Sequence, residues 1–301
     1  MTRSRSSLPL FDSSSAGRLD VPVLAELGPV RSTSADLPPP GPLRLGEVYL
    51  GAGRPVRATP APAMWLTDEE VVGGAQRWRG LVDRFPDTGL WPLLTMPLEY
   101  AATQRPWDAG EFDPVPVADV EALDPAELLA GAWAGWLVPM GENPYVEHLR
   151  PFGAPFPGLA PPLPVRGEPA SVPGDRLDRF GLSRLGLVRC DRPADAVAVI
   201  GWYGACNYRR TEEVAAVLRS WEDRFGVVLA GLGFARMTLL LPHPPASLEE
   251  ALPIAAEVTA LCRDVISLDG PTDAFGWRAG GTVEGLARCL VGEPVWTLWW
   301  D

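Results

Sequence analysis

From residue 211 to 225 the apolar side chains fall three and four apart: Val214, Val217, Leu218, Trp221 and Phe225. That spacing predicts an amphipathic helix with one buried stripe. Its last turn, R-S-W-E-D-R-F-G at 219–226, puts Trp221 and Phe225 on the core side, Glu222 and Arg224 at the wet margin, and Gly226 at the turn into a strand. Upstream, 184–189 reads as an edge strand and 194–202, A-D-A-V-A-V-I-G-W, as a central one. Downstream, 227–230 and 236–241 are strands joined by Gly231-Leu232-Gly233, a hairpin signal. Ser247 and Glu250 have capping-box spacing and open a helix to about Arg263, with Pro253 expected to kink it or delay its regular start. A short helix at 282–290 and a strand from Val295 close the chain.

This order predicts an α+β fold whose C-terminal part is a split βαβ sandwich, ferredoxin-like with one added helix. Right-handed crossovers would then set the strands beginning at 194 and 236 side by side and parallel.

The first 45 residues have few large apolar positions and many serines and prolines, and are expected to be poorly ordered. Residues 46–140 read as a smaller mixed α/β region. Within it, Thr67 and Glu70 predict a capped helix with Val71, Ala75, Trp78, Val82 and Phe85 on one face, followed by a strand at 90–94. Pro92 confines that strand to an edge or a bulge. Asp124-Pro125-Ala126-Glu127 predicts a second helix start, with Leu129, Ala132, Trp133 and Trp136 inward. Between 141 and 183 prolines and glycines erase any period, which reads as a linker or wrapping arm. The C-terminal domain is then 184–301.

Charge and composition narrow the chemistry. The 301 residues carry a net charge of −12, with 26 basic residues against 38 acidic ones. No cationic face is available for nucleic acid, which excludes it as an expected partner. No apolar run reaches the length of a membrane span, and the apolar stretch after Arg3 and Arg5 is too short for a signal peptide; a cytoplasmic location is expected. Every basic residue is arginine. Without lysine there is no Schiff-base chemistry, and the usual phosphate-loop and kinase patterns fail. Cys190, Cys206, Cys262 and Cys289 lack metal-ligand spacing, and only His148 and His243 accompany them. No metal and no cofactor are expected.

Several separated motifs point to one family. G-W-Y-G-A-C-N at 201–207, L-R-S-W-E-D-R-F-G at 218–226, P-H-P-P at 242–245, A-A-E-V-T-A-L-C-R-D at 255–264 and W-T-L-W-W-D at 296–301 resemble the bacterial family DUF4253 over roughly residues 190–301. The resemblance implies a compact intracellular domain and no particular activity. The family often has a histidine after the glutamate of its second long helix, where this chain has Val258 after Glu257.

Catalytic patterns do not assemble. Gly181-Leu182-Ser183-Arg184-Leu185-Gly186 misses the nucleophile-elbow spacing by one residue. Gly231-Leu232-Gly233 leads into a strand rather than a helix N-terminus, so it is a turn and not a dinucleotide site. Glu222 and Asp223 are adjacent on a helix and diverge, while Glu213, Ser220 and Arg224 share a face as a surface ion-pair row. The loop 204–211 offers the best binding chemistry. It opens a helix, where backbone donors and the dipole favour an anion. In the split βαβ order the 242–245 loop shares its sheet edge, so Asn207, Arg209, Arg210 and His243 are the candidate residues for a small anionic ligand. The competing reading has Asn207 cap locally and the arginines pair with Glu212 and Glu213. Twelve tryptophans, three of them at the C-terminus, suit a large internal contact or an interface with another protein. The expected function is a non-enzymatic interaction or regulatory module, of the acidic kind found among bacterial immunity proteins. The alternative is a small-molecule enzyme or anion-binding protein using the 204–211 and 242–245 loops.

Overall fold

Strands from both halves of the chain join in one eight-stranded mixed sheet. The computed structural model describes residues 17–32, 36–56, 61–95, 112–136, 145–178, 183–266 and 280–300. In chain order the strands are β1 (Arg18–Asp20), β2 (Gly41–Leu45), β3 (Val48–Val56), β4 (Met64–Thr67), β5 (Leu90–Thr95), β6 (Ser171–Pro173), β7 (Arg184–Arg189), β8 (Val228–Leu232), β9 (Arg236–Leu240) and β10 (Val295–Trp299). The helices are α1 (Leu24–Leu27), α2 (Gly74–Val82), α3 (Phe85–Thr88), α4 (Val117–Glu121), α5 (Pro125–Gly135), α6 (Gly174–Asp178), α7 (Ala196–Ile200), α8 (Thr211–Phe225), α9 (Leu248–Leu261) and α10 (Val283–Leu290). The large sheet has the order β10-β9-β8-β5-β7-β4-β3-β2, and β1 pairs with β6 in a separate ribbon.

The class is α+β, as the pattern predicts, but the C-terminal strand order is different. Residues 194–202 are not a strand. They form a 3₁₀ turn at Pro193–Asp195 followed by α7, closed by Gly201 at φ 67°. A short run apolar on every side carries no period and fits a buried helix as well as a strand. Gly201 decides the matter locally: a Cβ there would sit 2.1 Å from the Asp113 carbonyl carbon, and its φ is left-handed. With this strand absent, β9 lies between β8 and β10 and runs antiparallel to both.

β7 is also not at an edge; it lies between β4 and β5. β5, from the N-terminal half, separates β7 from β8 and is buried along its whole length. Pro92 is tolerated there because the parallel β5–β8 ladder begins only at Leu94, beyond the proline. β8 is irregular between Leu229 and Gly231 at this point, and the Trp91 indole donates to the Leu229 carbonyl at 2.9 Å.

The Thr67 helix start is a second correction. Met64-Trp65-Leu66-Thr67 is β4, and the Thr67 hydroxyl accepts from the Leu185 amide across the ladder instead of capping a helix. The helix starts seven residues later, after Gly73 takes a left-handed conformation. Its expected core residues Ala75, Trp78, Val82 and, beyond it, Phe85 are buried. The start at Asp124 is as predicted: its carboxylate accepts from Ala126 N–H at 2.8 Å. α8 and α9 also follow the pattern, and α9 runs through Pro253. Of the first 45 residues, 18–20, 24–27 and 41–45 form β1, α1 and β2; residues 1–16 and 33–35 lie outside the described residues.

Residues 150–170 have no helix or strand, yet their backbone is paired at intervals. Leu163 N–H donates to the Arg224 carbonyl, Ala170 N–H to Pro242 and Val21 N–H to Ala170. The segment is a strap laid over the ends of α8 and β9.

Candidate functional site

Among the described residues, the last two turns of α8 carry a connected set of charged side chains, and three arginines organise it. Arg224 donates from Nη1 and Nη2 to the two oxygens of Glu257, at 2.7 and 2.6 Å. Glu257 is fully buried on α9 and accepts two more bonds, from Trp221 Nε1 at 2.9 Å and from Ala160 N–H at 2.6 Å. Arg224 also reaches the Ala160 carbonyl at 2.8 Å, which fastens the strap to both helices. A buried carboxylate is tolerable only with this degree of compensation.

Arg219 holds Asp195 with both ends of its guanidinium, one of them at 2.7 Å, and reaches Glu121 on α4 at 3.2 Å. These carboxylates raise the already high pKa of the arginine further. Arg192, just after β7, donates to Glu222 at 2.9 Å, to the Arg219 carbonyl at 2.8 Å and to Asp223. Glu222 also accepts from Ala194 N–H at 2.9 Å. Burial pushes the Glu222 carboxyl up to about 7, against the pull of Arg192 and the amide.

The three arginines open on a cleft of about 360 Å³ between α4, the start of α5, α8 and the strap. Arg192, Arg219, Ser220, Asp223 and Arg224 line one side; Val120, Leu123, Pro125 and Leu159 form an apolar wall, with Glu121 beside them. Ser220 accepts from Arg224 Nε at 3.1 Å, and neither histidine lines the cleft.

Glu222 and Arg224 were placed at a wet margin by the helical pattern, and both are instead largely covered, with 12% and 13% of their side chains exposed. The expected row of Glu213, Ser220 and Arg224 is likewise not a surface ion-pair row, because Arg224 pairs with Glu257 and Glu213 with Arg210. A covering layer formed by α4, α5 and the strap cannot be read from the period of α8 alone.

The residues proposed for an anion fall into two places. Asn207, Arg209 and Arg210 precede α8. Arg209 is half-buried and donates to the carbonyls of Tyr208 and Ala260, at 2.8 and 2.9 Å; burial lowers its pKa. Arg210 is exposed and pairs with Glu212 and Glu213. Asn207 is exposed, 4.0 Å from the Cys206 sulfur. His243 lies at the far end of α8, since Pro242 packs against Gly226. A 15-residue helix spans about 22 Å, so His243 does not join the other three.

Cys190 and Cys262 are buried, and burial pushes both thiols up; Cys206 is exposed and Cys289 half-buried. Among the described residues no group of three or more His, Cys, Asp or Glu could hold a metal ion, and no helix is long and apolar enough to cross a membrane.

Residues 184–301 match the family model described as a domain of unknown function, DUF4253. The match begins at the first residue of β7, somewhat before the motifs that carry the resemblance. No curated protein and no solved structure matches the chain. The DUF4253 segment supplies α8, α9 and all three cleft arginines, whereas Glu121 and the apolar wall come from outside it. Of its W-E-D-R-F motif, Asp223 and Arg224 line the cleft. The one signal for Glu257 in the sequence is a lone acid in A-A-E-V-T-A-L: a carboxylate inside an apolar helix demands a buried partner, without saying which.

Proposed function

We propose that the protein is a non-enzymatic interaction module that binds another protein. The observation that carries this reading is the state of the cleft's polar groups. Each arginine is already committed to a carboxylate of its own chain, and the Ser220 hydroxyl is held by Arg224. General acid–base or nucleophilic work needs a group with a free, reachable proton site beside a positioned base. A fixed network with an apolar wall suits docking, and the net charge of −12 favours a basic partner through steering.

Affinity capture of the full chain from its native host, followed by reconstitution with the purified partner, tests the reading. A stoichiometric complex that weakens with added salt is expected. Turnover of a metabolite by the purified chain, with no protein retained, would overturn it.

A further inference from the structure

We infer that the cleft beside α8 receives an arginine or lysine side chain of a basic partner protein, held between Glu121 and Asp223. The inference rests on the interaction-module reading and specifies its contact.

Charge bookkeeping identifies the occupant. Above about pH 7, where Glu222 has lost its proton, the three arginines of the cleft are each matched by a carboxylate with little exposure: Arg219 by Asp195, Arg192 by Glu222 and Arg224 by Glu257. Two acids remain, Glu121 and Asp223, and their side chains are 60% and 66% exposed. They touch Arg219 and Arg192 beside the more buried carboxylates of Asp195 and Glu222. The mouth thus carries two carboxylates in excess. An anion entering would meet them and find the arginine donors occupied by buried acids. A cation entering would gain both, and would give up only solvent-screened contacts.

The shape fits the same ligand. Val120, Leu123, Pro125 and Leu159 offer an apolar wall next to the two carboxylates, which matches the alkyl stem and charged head of arginine or lysine. A volume of about 360 Å³ lies at the low end of small-ligand sites, enough for one long side chain with some water. The planar guanidinium can bond carboxylates two-fold, so arginine is the better fit of the two.

Titration calorimetry of the full chain tests this with four probes: an eight-residue arginine-rich peptide, its lysine counterpart, a glutamate-rich peptide of equal length, and agmatine as a free guanidinium. The proteins are the parent, Glu121→Gln/Asp223→Asn, and Glu69→Gln/Glu70→Gln as an equal charge change at exposed positions elsewhere. All the replaced groups are exposed, and melting curves verify folding. The arginine peptide is expected to bind the parent and the Glu69/Glu70 variant alike, the lysine peptide more weakly, and the Glu121/Asp223 variant at least tenfold more weakly. Equal loss in both variants, or no loss in either, overturns the cleft assignment, as does a parent that binds the glutamate peptide best. Binding of agmatine without either basic peptide overturns the choice of a protein-borne side chain. A parent that binds no probe also sinks the inference, whereas the module reading fails only if the purified chain turns over a metabolite and retains no protein.

Discussion

The Arg224 guanidinium and the Glu257 carboxylate face each other with two parallel bonds of 2.7 and 2.6 Å, and Glu257 has no exposed surface. This pair ties α8 to α9 and, through Ala160, ties both to the strap. Removing either partner strands a buried charge or its donors. Arg224→Ala and Glu257→Ala are each expected to cost about 3 kcal/mol or more in urea unfolding. Arg224→Met/Glu257→Met should cost much less than the sum of the two alanine variants. An additive result would mean that the two side chains do not act as a unit.

Glu222 gives the protein a dependence on pH. Its carboxyl is raised to about 7 by burial, above the unfolded value of about 4.5. Between those values the unfolded chain has lost the proton that the folded chain keeps, so the contribution of Glu222 to stability falls as pH rises. It is fully present below about pH 4.5 and gone above about pH 7. The difference in stability between parent and Glu222→Gln should therefore shift against the parent by up to roughly 3 kcal/mol across that window. Denaturant midpoints at half-unit steps of pH would show it, and parallel curves would refute the assignment.

Helices with a clean apolar stripe and a cap were legible: α5 from Asp124, α8 from its three-and-four spacing, α9 from Ser247. What was not legible depends on neighbours distant in sequence. The run at 194–202 has no period and is set by Gly201 and by the Asp195–Arg219 pair. β7 looked like an edge because its partners, β4 and β5, come from the other half of the chain. Arg219 and Arg224 could be read as charged helix residues, but their partners Asp195 and Glu257 become visible only once the layers are stacked.

The sheet order bears on what can fold alone. The DUF4253 segment contributes β7 on one side of β5 and β8, β9 and β10 on the other. Without β5, neither flank has its neighbour: Val188 and Gly186 lose Trp91 and Leu93 across the ladder, and the Leu229 carbonyl loses the Trp91 indole. A fragment of 184–301 is expected to show no cooperative thermal transition, and adding 17–183 in trans should restore one. A sharp transition for the fragment alone would contradict this.

Two glycines should respond oppositely to alanine. Gly131 is exposed within α5 and a Cβ there meets nothing within 4 Å, so Gly131→Ala should stabilise by about 1 kcal/mol through helix propensity. Gly201 has a left-handed φ and the Asp113 backbone in the path of a Cβ. Gly201→Ala should therefore destabilise by about 2 kcal/mol or more. Melting temperatures of the two variants would settle the contrast.

Arg209 and Arg210 are neighbours in sequence with different duties. Arg209 donates to the Ala260 carbonyl, one of the last four of α9, which has no partner within its own helix. Burial has already taken part of its hydration. Arg209→Ala should thus free the end of α9 and cost roughly 1.5–3 kcal/mol, the range for a hydrogen bond with a charged group. Arg210 is exposed and paired with Glu212 and Glu213 across solvent, so Arg210→Ala should cost about 0–1 kcal/mol. Unfolding curves distinguish the two, and phosphate titrated into the same variants tests the 204–211 loop directly. An anion-binding loop predicts that Arg210→Ala loses phosphate affinity at unchanged stability. A pair of structural arginines predicts that only Arg209→Ala has an effect, and that its effect is on folding.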